Sequence, residues 1–382
     1  MSVTSTRTAF GIAALTMGLW SILASDNSLE SSSAEGVAYQ PVSSTATNDL
    51  HKVLGISRAG CDGCHYEETE TWMKTAHYSS ADTLLRFTGN TRKYANALGI
   101  RADELMTTSM CADCHGTKAV VNNRIEVISG VSCESCHGPS GGEPGWANRH
   151  QSYDPVGAAT RQEESIAHRA ERQADCDAAG MIRPENIAGL VRKCLACHII
   201  SDEKLVAAGH KAFSNFDFNS WTSGDIRHNF LLDDETNREA PSLWLERTGS
   251  TVVQRRRLKF VAGTLVSLEV ALRKRAEVSD PTVIPSLGGF AAAMNGKLAQ
   301  INAAGGTPET RAATELFAPM RDSIFVVQAT DNQVYSAAAD KIAALTKLFL
   351  EHNDGAKLKS LDAIISVTPP HYSQHFKDRS YP

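Results

Sequence analysis

The sequence lacks any excess of positive charge. Its 38 Lys and Arg stand against 43 Asp and Glu, and the formal charge of -5 excludes a general basic nucleic-acid binder. The N-terminus also lacks an apolar run of full membrane length: Ala9 to Ala24 gives about 16 positions where a spanning helix needs about 20. From His51 to about Leu232, strong hydrophobic periodicity is missing, and polar, Gly- and Pro-bearing connections take its place. Cysteine, by contrast, is plentiful and ordered. Eight of the nine cysteines fall into four copies of one five-residue pattern.

The pattern is Cys-x-x-Cys-His, at Cys61, Cys64 and His65; Cys111, Cys114 and His115; Cys133, Cys136 and His137; and Cys194, Cys197 and His198. This spacing attaches a c-type haem, with two thioethers holding the porphyrin and the adjoining histidine ligating iron. A zinc reading would pair the Cys-x-x-Cys units, Cys61/Cys64 with Cys111/Cys114, and would leave the histidine after every pair unexplained. Disulfides between such close cysteines make poor long-range staples, and a chain of this length does not need them. The sequence therefore predicts four covalent haems c. About 45 residues are available for each, too few for separate folds, so the haems must pack against one another and supply part of the core. Their propionates add about eight negative charges. The expected partners are redox proteins with a basic docking face.

His65, His115, His137 and His198 are the expected proximal ligands, leaving nine other histidines for the sixth positions. His77 follows the first motif in a short helical stretch, Glu70 to His77, with Trp72 placed to pack on a porphyrin. His150 follows the Gly-rich loop from Gly138 to Gly145, where glycine lets backbone approach a flat cofactor. His210 and His228 flank an aromatic segment of Phe213, Phe216, Phe218 and Trp221, and at least one of the two is an expected ligand. His168, in a charged helical run over 161–172, fits a solvated helix face. Cys176 reads as packing, since two flanking aspartates disfavour its thiolate. No methionine has a ligand context, and Met110 reads as core filler.

Met1 to Arg7 followed by the apolar run reads as a signal peptide ending at Ala24, with an uncleaved anchor as the alternative; only then would the chain meet a membrane. A flexible Ser-rich linker is expected over 25–50. Either reading puts the body of the protein in the periplasm.

The order of these features resembles the cytochrome c554 family. The residues that carry the resemblance are the first motif with Trp72-Met-Lys-Thr-Ala-His77, then Gly130-Val-Ser-Cys-Glu-Ser-Cys-His-Gly-Pro139, a histidine after a Gly-rich loop, and the fourth motif. It covers roughly Gly60 to Phe230. The resemblance implies that His150 is the distal ligand of the His65 haem and His77 that of the His137 haem. It implies a later histidine, His228 or His210, for the His198 haem, and an open iron at His115. Two candidates after the fourth motif depart from that pattern, and if both ligate, the His115 haem is closed. The family's haems stack closely and pass electrons between periplasmic partners, with some reactivity towards nitric oxide at the open haem.

Beyond about Asp233 the signal turns helical. Leu258, Val261, Leu265, Leu268 and Leu272 recur at helical spacing, and Pro281 and Pro285 are expected to stop that helix. A second apolar run covers Leu287 to Ile301. Thr307 and Pro308 form an N-cap and first-turn proline, and a last helix covers about Asp331 to His352, with Gly355 beyond its end. Arg255 to Arg257 reads as a solvated face, with contact to haem propionates as the alternative, and His371 and His375 as a terminal tail, with reach to a haem as the alternative. The expected fold is mainly α: a multihaem cytochrome c domain at 51–232 with short helices, then an α-helical bundle at 233–382. The expected function is electron transfer through mostly bis-histidine haems, an electron carrier more than an enzyme. The alternative is a small reductase or oxidase of nitrogen species at the His115 haem.

Overall fold

The computed structural model describes residues 49–143, 145–153, 163–214, 216–222, 250–326 and 331–365. The expected signal peptide, all but the last two residues of the Ser-rich linker, His228, His371, His375 and the 232/233 boundary lie outside the described residues. The described chain is mainly α-helical, as the sequence leads one to expect, with short helices before residue 223 and long ones after 250.

Each Cys-x-x-Cys-His closes about one helical turn. The first motif forms α1 (Cys61–Cys64), followed by α2 (Tyr66–Trp72) and, further on, α3 (Gly89–Leu98). The second motif is α4 (Cys111–His115) and the third α5 (Cys133–His137). Next come α6 (Trp146–Gln151) and α7 (Ile166–Ala178). The fourth motif is the last turn of a longer helix, α8 (Ile187–His198), and α9 (Phe218–Thr222) follows. Residues three apart on a helix share a face, so each motif turns both thiols to one side.

Between α4 and α5 lies a hairpin that the weak periodicity had concealed. Strands β1 (Thr117–Val121) and β2 (Arg124–Ser129) pair antiparallel, with Val121 opposite Arg124. The turn is Asn122-Asn123, both left-handed at φ 49° and 61°, the two-residue geometry whose twist suits a hairpin.

The second half is built around α10 (Val252–Glu277), which Thr251 and Gln254 start with a reciprocal capping box. It ends before Pro281, as expected. Pro285, however, lies in the first turn of α11 (Ile284–Ala303) and begins a helix instead of ending one. Thr307 caps α12 (Pro308–Phe317), and α13 spans Asp331–His352. Val261, Leu265, Leu268 and Leu272 of α10 are fully buried, and so are Val266 and Ala271 on its other sides. A helix buried this widely is the centre of a bundle.

That centre also receives α8. Ile187, Val191 and Leu195, one turn apart and all fully buried, join the core formed by α10, α11 and α13. Arg192 of α8 donates to the buried Glu269 of α10 at 2.7 Å. The Arg255 to Arg257 run departs from the expected solvated face: Arg255 and Arg257 are each only 7% exposed. Arg257 forks onto Asp362 at 2.7 and 2.6 Å and caps the Gly355 carbonyl. The cause is the central position of α10, which leaves these guanidiniums to satisfy neighbouring acceptors. Among the described residues no helix is long and apolar enough to cross a membrane.

Candidate functional site

The histidine that ends each of the four motifs has a contact at its Nδ1. His137 Nδ1 lies 2.7 Å from the Ile182 carbonyl, and His198 Nδ1 lies 2.9 Å from Ser214 Oγ. His115 Nδ1 is 3.4 Å from Thr83 Oγ1, and His65 Nδ1 is 3.7 Å from the Glu68 carboxylate. At His137 the partner settles the tautomer: a carbonyl only accepts, so Nδ1 carries the proton and Nε2 keeps its lone pair. Burial works the same way, pushing His115 and His137 below the usual imidazole range and His198 down to about 4. A neutral imidazole with Nδ1 engaged and Nε2 open is what a metal ligand needs.

Two of these rings face a second histidine. His65 stacks opposite His150 with centroids 6.0 Å apart and planes 21° from parallel. His77 and His198 have centroids 6.2 Å apart, with planes at 66°. Two imidazoles on opposite sides of one metal, each about 2 Å from it, leave their ring centres at such separations. The donor set at these positions therefore fits a bis-histidine iron. A third histidine, His210, lies close enough to His115 that its charge depresses the latter further. His210 Nδ1 contacts the Lys211 carbonyl at 2.9 Å, which again leaves Nε2 with its lone pair. Tyr94 of α3 steadies that loop through its hydroxyl, which donates to the Gly209 carbonyl at 3.0 Å.

His150 lies across from His65, and His77 lies across from His198. The His77 turn is fastened beside the third motif, where Trp72 Nε1 donates to the Val131 carbonyl at 2.7 Å. Ser80 Oγ donates to the His77 carbonyl and accepts from Val131 N. Anchored there, the ring reaches across to the fourth motif. Gly130 makes this approach possible, because a Cβ at that position would meet the His77 and Tyr78 carbonyl oxygens at 2.2 and 2.3 Å. Gly130→Ala is expected to push the His77 turn away and destabilise the fold by about 1–3 kcal/mol. Thermal unfolding and the loss of one low-spin electron paramagnetic resonance (EPR) signal would report it.

His150 sits on the short helix α6, and α7 holds it there. Arg172 Nη1 donates to the His150 carbonyl at 2.8 Å, while its other nitrogens fork onto the buried Glu164 at 2.7 Å each. Arg172 holds the Glu164 carboxyl well below the usual range. His168 contacts the same carboxylate at 2.8 Å, which accounts for its place outside the histidine pairs. Cys176 is buried near the Trp146 carbonyl, with burial raising its thiol pKa, in keeping with a packing role.

The thiols show how the motifs are ordered in space. Cys61 and Cys133 are close neighbours, and so are Cys114 and Cys197; Cys136 lies close to Cys194. Cys197 Sγ also lies 3.9 Å from the Asp113 carbonyl. In space the motifs therefore run first, third, fourth, second. Burial raises the thiol pKa values of Cys111, Cys136 and Cys194, so these groups stay protonated in the chain itself. Among the described residues no three His, Cys, Asp or Glu side chains converge as a zinc site would require.

Glu134 escaped the sequence reading, because nothing marks the variable positions of a Cys-x-x-Cys-His motif as structural. Its buried carboxylate accepts from Leu54 N at 3.0 Å, Gly55 N at 2.6 Å, Ser140 N at 2.8 Å and Ser140 Oγ at 2.6 Å. It ties the chain before the first motif to the loop after the third.

Helical turns offering two thiols and an imidazole on one side, with a second imidazole opposite, are the provisions of a c-type cytochrome. Residues 60–138 match the family described as "Cytochrome c554 and c-prime". The chain is similar to cytochrome c-554 of Nitrosomonas europaea, 30% identical over 88 residues that make up 22% of this chain and 37% of that protein. The match thus spans about a third of that relative's length. No solved structure matches. The resemblance to the cytochrome c554 family holds for this segment, and covalent haem c comes with it.

Proposed function

We propose that the chain is a periplasmic tetrahaem c-type cytochrome that passes electrons between redox partner proteins. Cys61 and Cys64, Cys111 and Cys114, Cys133 and Cys136, and Cys194 and Cys197 attach the haems, with His65, His115, His137 and His198 as proximal ligands. His150, His77 and His210 serve as distal ligands opposite His65, His198 and His115, with His228 as a further distal ligand. The observation that carries this reading is the pair of facing imidazoles at 6.0 and 6.2 Å.

When bound, haem supplies one-electron chemistry, and bis-histidine ligation without a methionine sets it at low-to-middle potential. The chain engages Nδ1 of each motif histidine, and at His137 and His210 the carbonyl partner leaves Nε2 unprotonated. It holds the attachment turns in direct succession, so that electrons pass through the protein with no long gap. The net charge of -5 suits partners with a basic docking face. His210 beside His115 weighs against the alternative, a reductase of nitrogen species at that position.

EPR of the fully oxidised holoprotein tests the proposal. Four low-spin irons, unchanged by nitric oxide after reduction, are expected. The near-parallel His65 and His150 planes and the crossed His77 and His198 planes should give distinct low-spin signals, the crossed pair the more anisotropic. A high-spin iron that binds nitric oxide would overturn the closed relay in favour of the reductase.

A further inference from the structure

Two cations on one face of α10 reach into the haem-bearing half. Arg255 and Lys259 are four residues apart, so their side chains leave the helix on the same side. Arg255 Nη2 donates to the carbonyls of Pro184 at 2.7 Å and Glu185 at 2.9 Å. These residues follow closely on Ile182, whose carbonyl engages His137. Lys259 Nζ donates to Thr222 Oγ1 of α9 at 3.3 Å. Beside Thr222, the ring of Trp221 meets His198 edge-on, 5.0 Å between centroids. One cation thus stands near the third motif and the other near the fourth.

Among the described residues, those around Lys259 do not neutralise it. From its own helix Arg255 and Arg256 repel it; from α9 the group facing it is the uncharged Thr222 hydroxyl. Among the described residues no carboxylate pairs with it. Burial and the two arginines push its ammonium down to about 7. A partly buried cation among like charges is costly, and an arriving anion reduces that cost.

We propose that Lys259, with Arg255 one turn away, is the seat for a propionate carboxylate of the haem carried by Cys194 and Cys197, making α10 part of the redox centre as well as scaffold. The proposal rests on the haem reading above. A lysine beside the propionate offsets negative charge near the iron and favours the reduced state, so its removal lowers the potential.

The test is Lys259→Gln in the full-length holoprotein, with the four midpoint potentials read by spectroelectrochemistry. One potential is expected to fall by about 59 mV, a roughly tenfold weaker reduction equilibrium for a one-electron couple, while the other three move far less. Lys259→Arg should keep the wild-type value. If the glutamine chain does not accumulate, Lys259→Met, which retains most of the apolar stem, carries the same test. Four attached haems with four unchanged potentials would overturn the proposal. A wild-type potential that tracks added phosphate, and does so only with Lys259 present, would also overturn it by assigning the seat to a dissolved anion. Haem content by pyridine haemochrome keeps the two readings apart, because a wild-type chain without haem defeats the cytochrome reading itself.

Discussion

On the tetrahaem proposal, replacing His150 by alanine is expected to turn one of the four low-spin haems high-spin and to let it bind carbon monoxide after reduction. The expectation follows from the 6.0 Å stacking of His150 on His65 and from the vacant axial site that the truncation leaves. The neighbouring His168→Ala should leave every iron low-spin, since that ring is engaged with Glu164. Arg172→Met should fall between them: the ligand remains, but the guanidinium that fixes the His150 carbonyl is gone, so the low-spin signal broadens or splits. EPR and carbon monoxide difference spectra of the three variants decide the matter. An unchanged spectrum in the His150 variant removes that residue from the ligand set.

Glu134→Ala is expected to be the most destabilising single change in the haem-bearing half. It strands the backbone N–H groups of Leu54, Gly55 and Ser140 and the Ser140 hydroxyl. At about 1–3 kcal/mol for each donor left unsatisfied, and with water reaching some of them, the loss is of order 4 kcal/mol. Glu134→Gln keeps one acceptor oxygen. With the amide nitrogen at the Oε2 position it breaks only the bond from Gly55 N, so a cost of about 1–2 kcal/mol is expected. Denaturant unfolding of the two holoproteins would show this order, and equal stabilities would show that Glu134 is not the clamp its bonds suggest.

The attachment turns were legible because their chemistry is local: Cys133, Cys136 and His137 must share one helical turn wherever that turn is placed. His150 was legible for a similar reason, since a Gly-rich loop and a short helix bring it back within a few residues. The partner of His77 was not, because pairing across the molecule depends on how the third and fourth motifs pack. The turn is anchored at Gly130 and Val131 while its ring crosses to His198, and no spacing in the chain encodes that reach. The long helices were legible from periodicity almost to the residue, as at Asp331 to His352. Arg255 and Arg257 misled because a charged run on an amphipathic helix ordinarily faces water; here the helix is enclosed, and only tertiary contacts reveal it. The Asn122-Asn123 turn between β-branched runs was a readable hairpin signal that the haem motifs on either side overshadowed.

The packing of α8 against α10 also bears on how such a protein is made. Cys194 and Cys197 form the end of a helix whose apolar face, Ile187, Val191 and Leu195 with Cys194 beside them, packs into the core with α10. The residues of α10 leave the ribosome only after all four motifs have done so. Until they arrive, α8 lacks the surface on which its apolar face packs. The core that α8 shares with α10 can therefore form only once the later residues of α10 are present, which makes the packing beside Cys194 and Cys197 a long-range one.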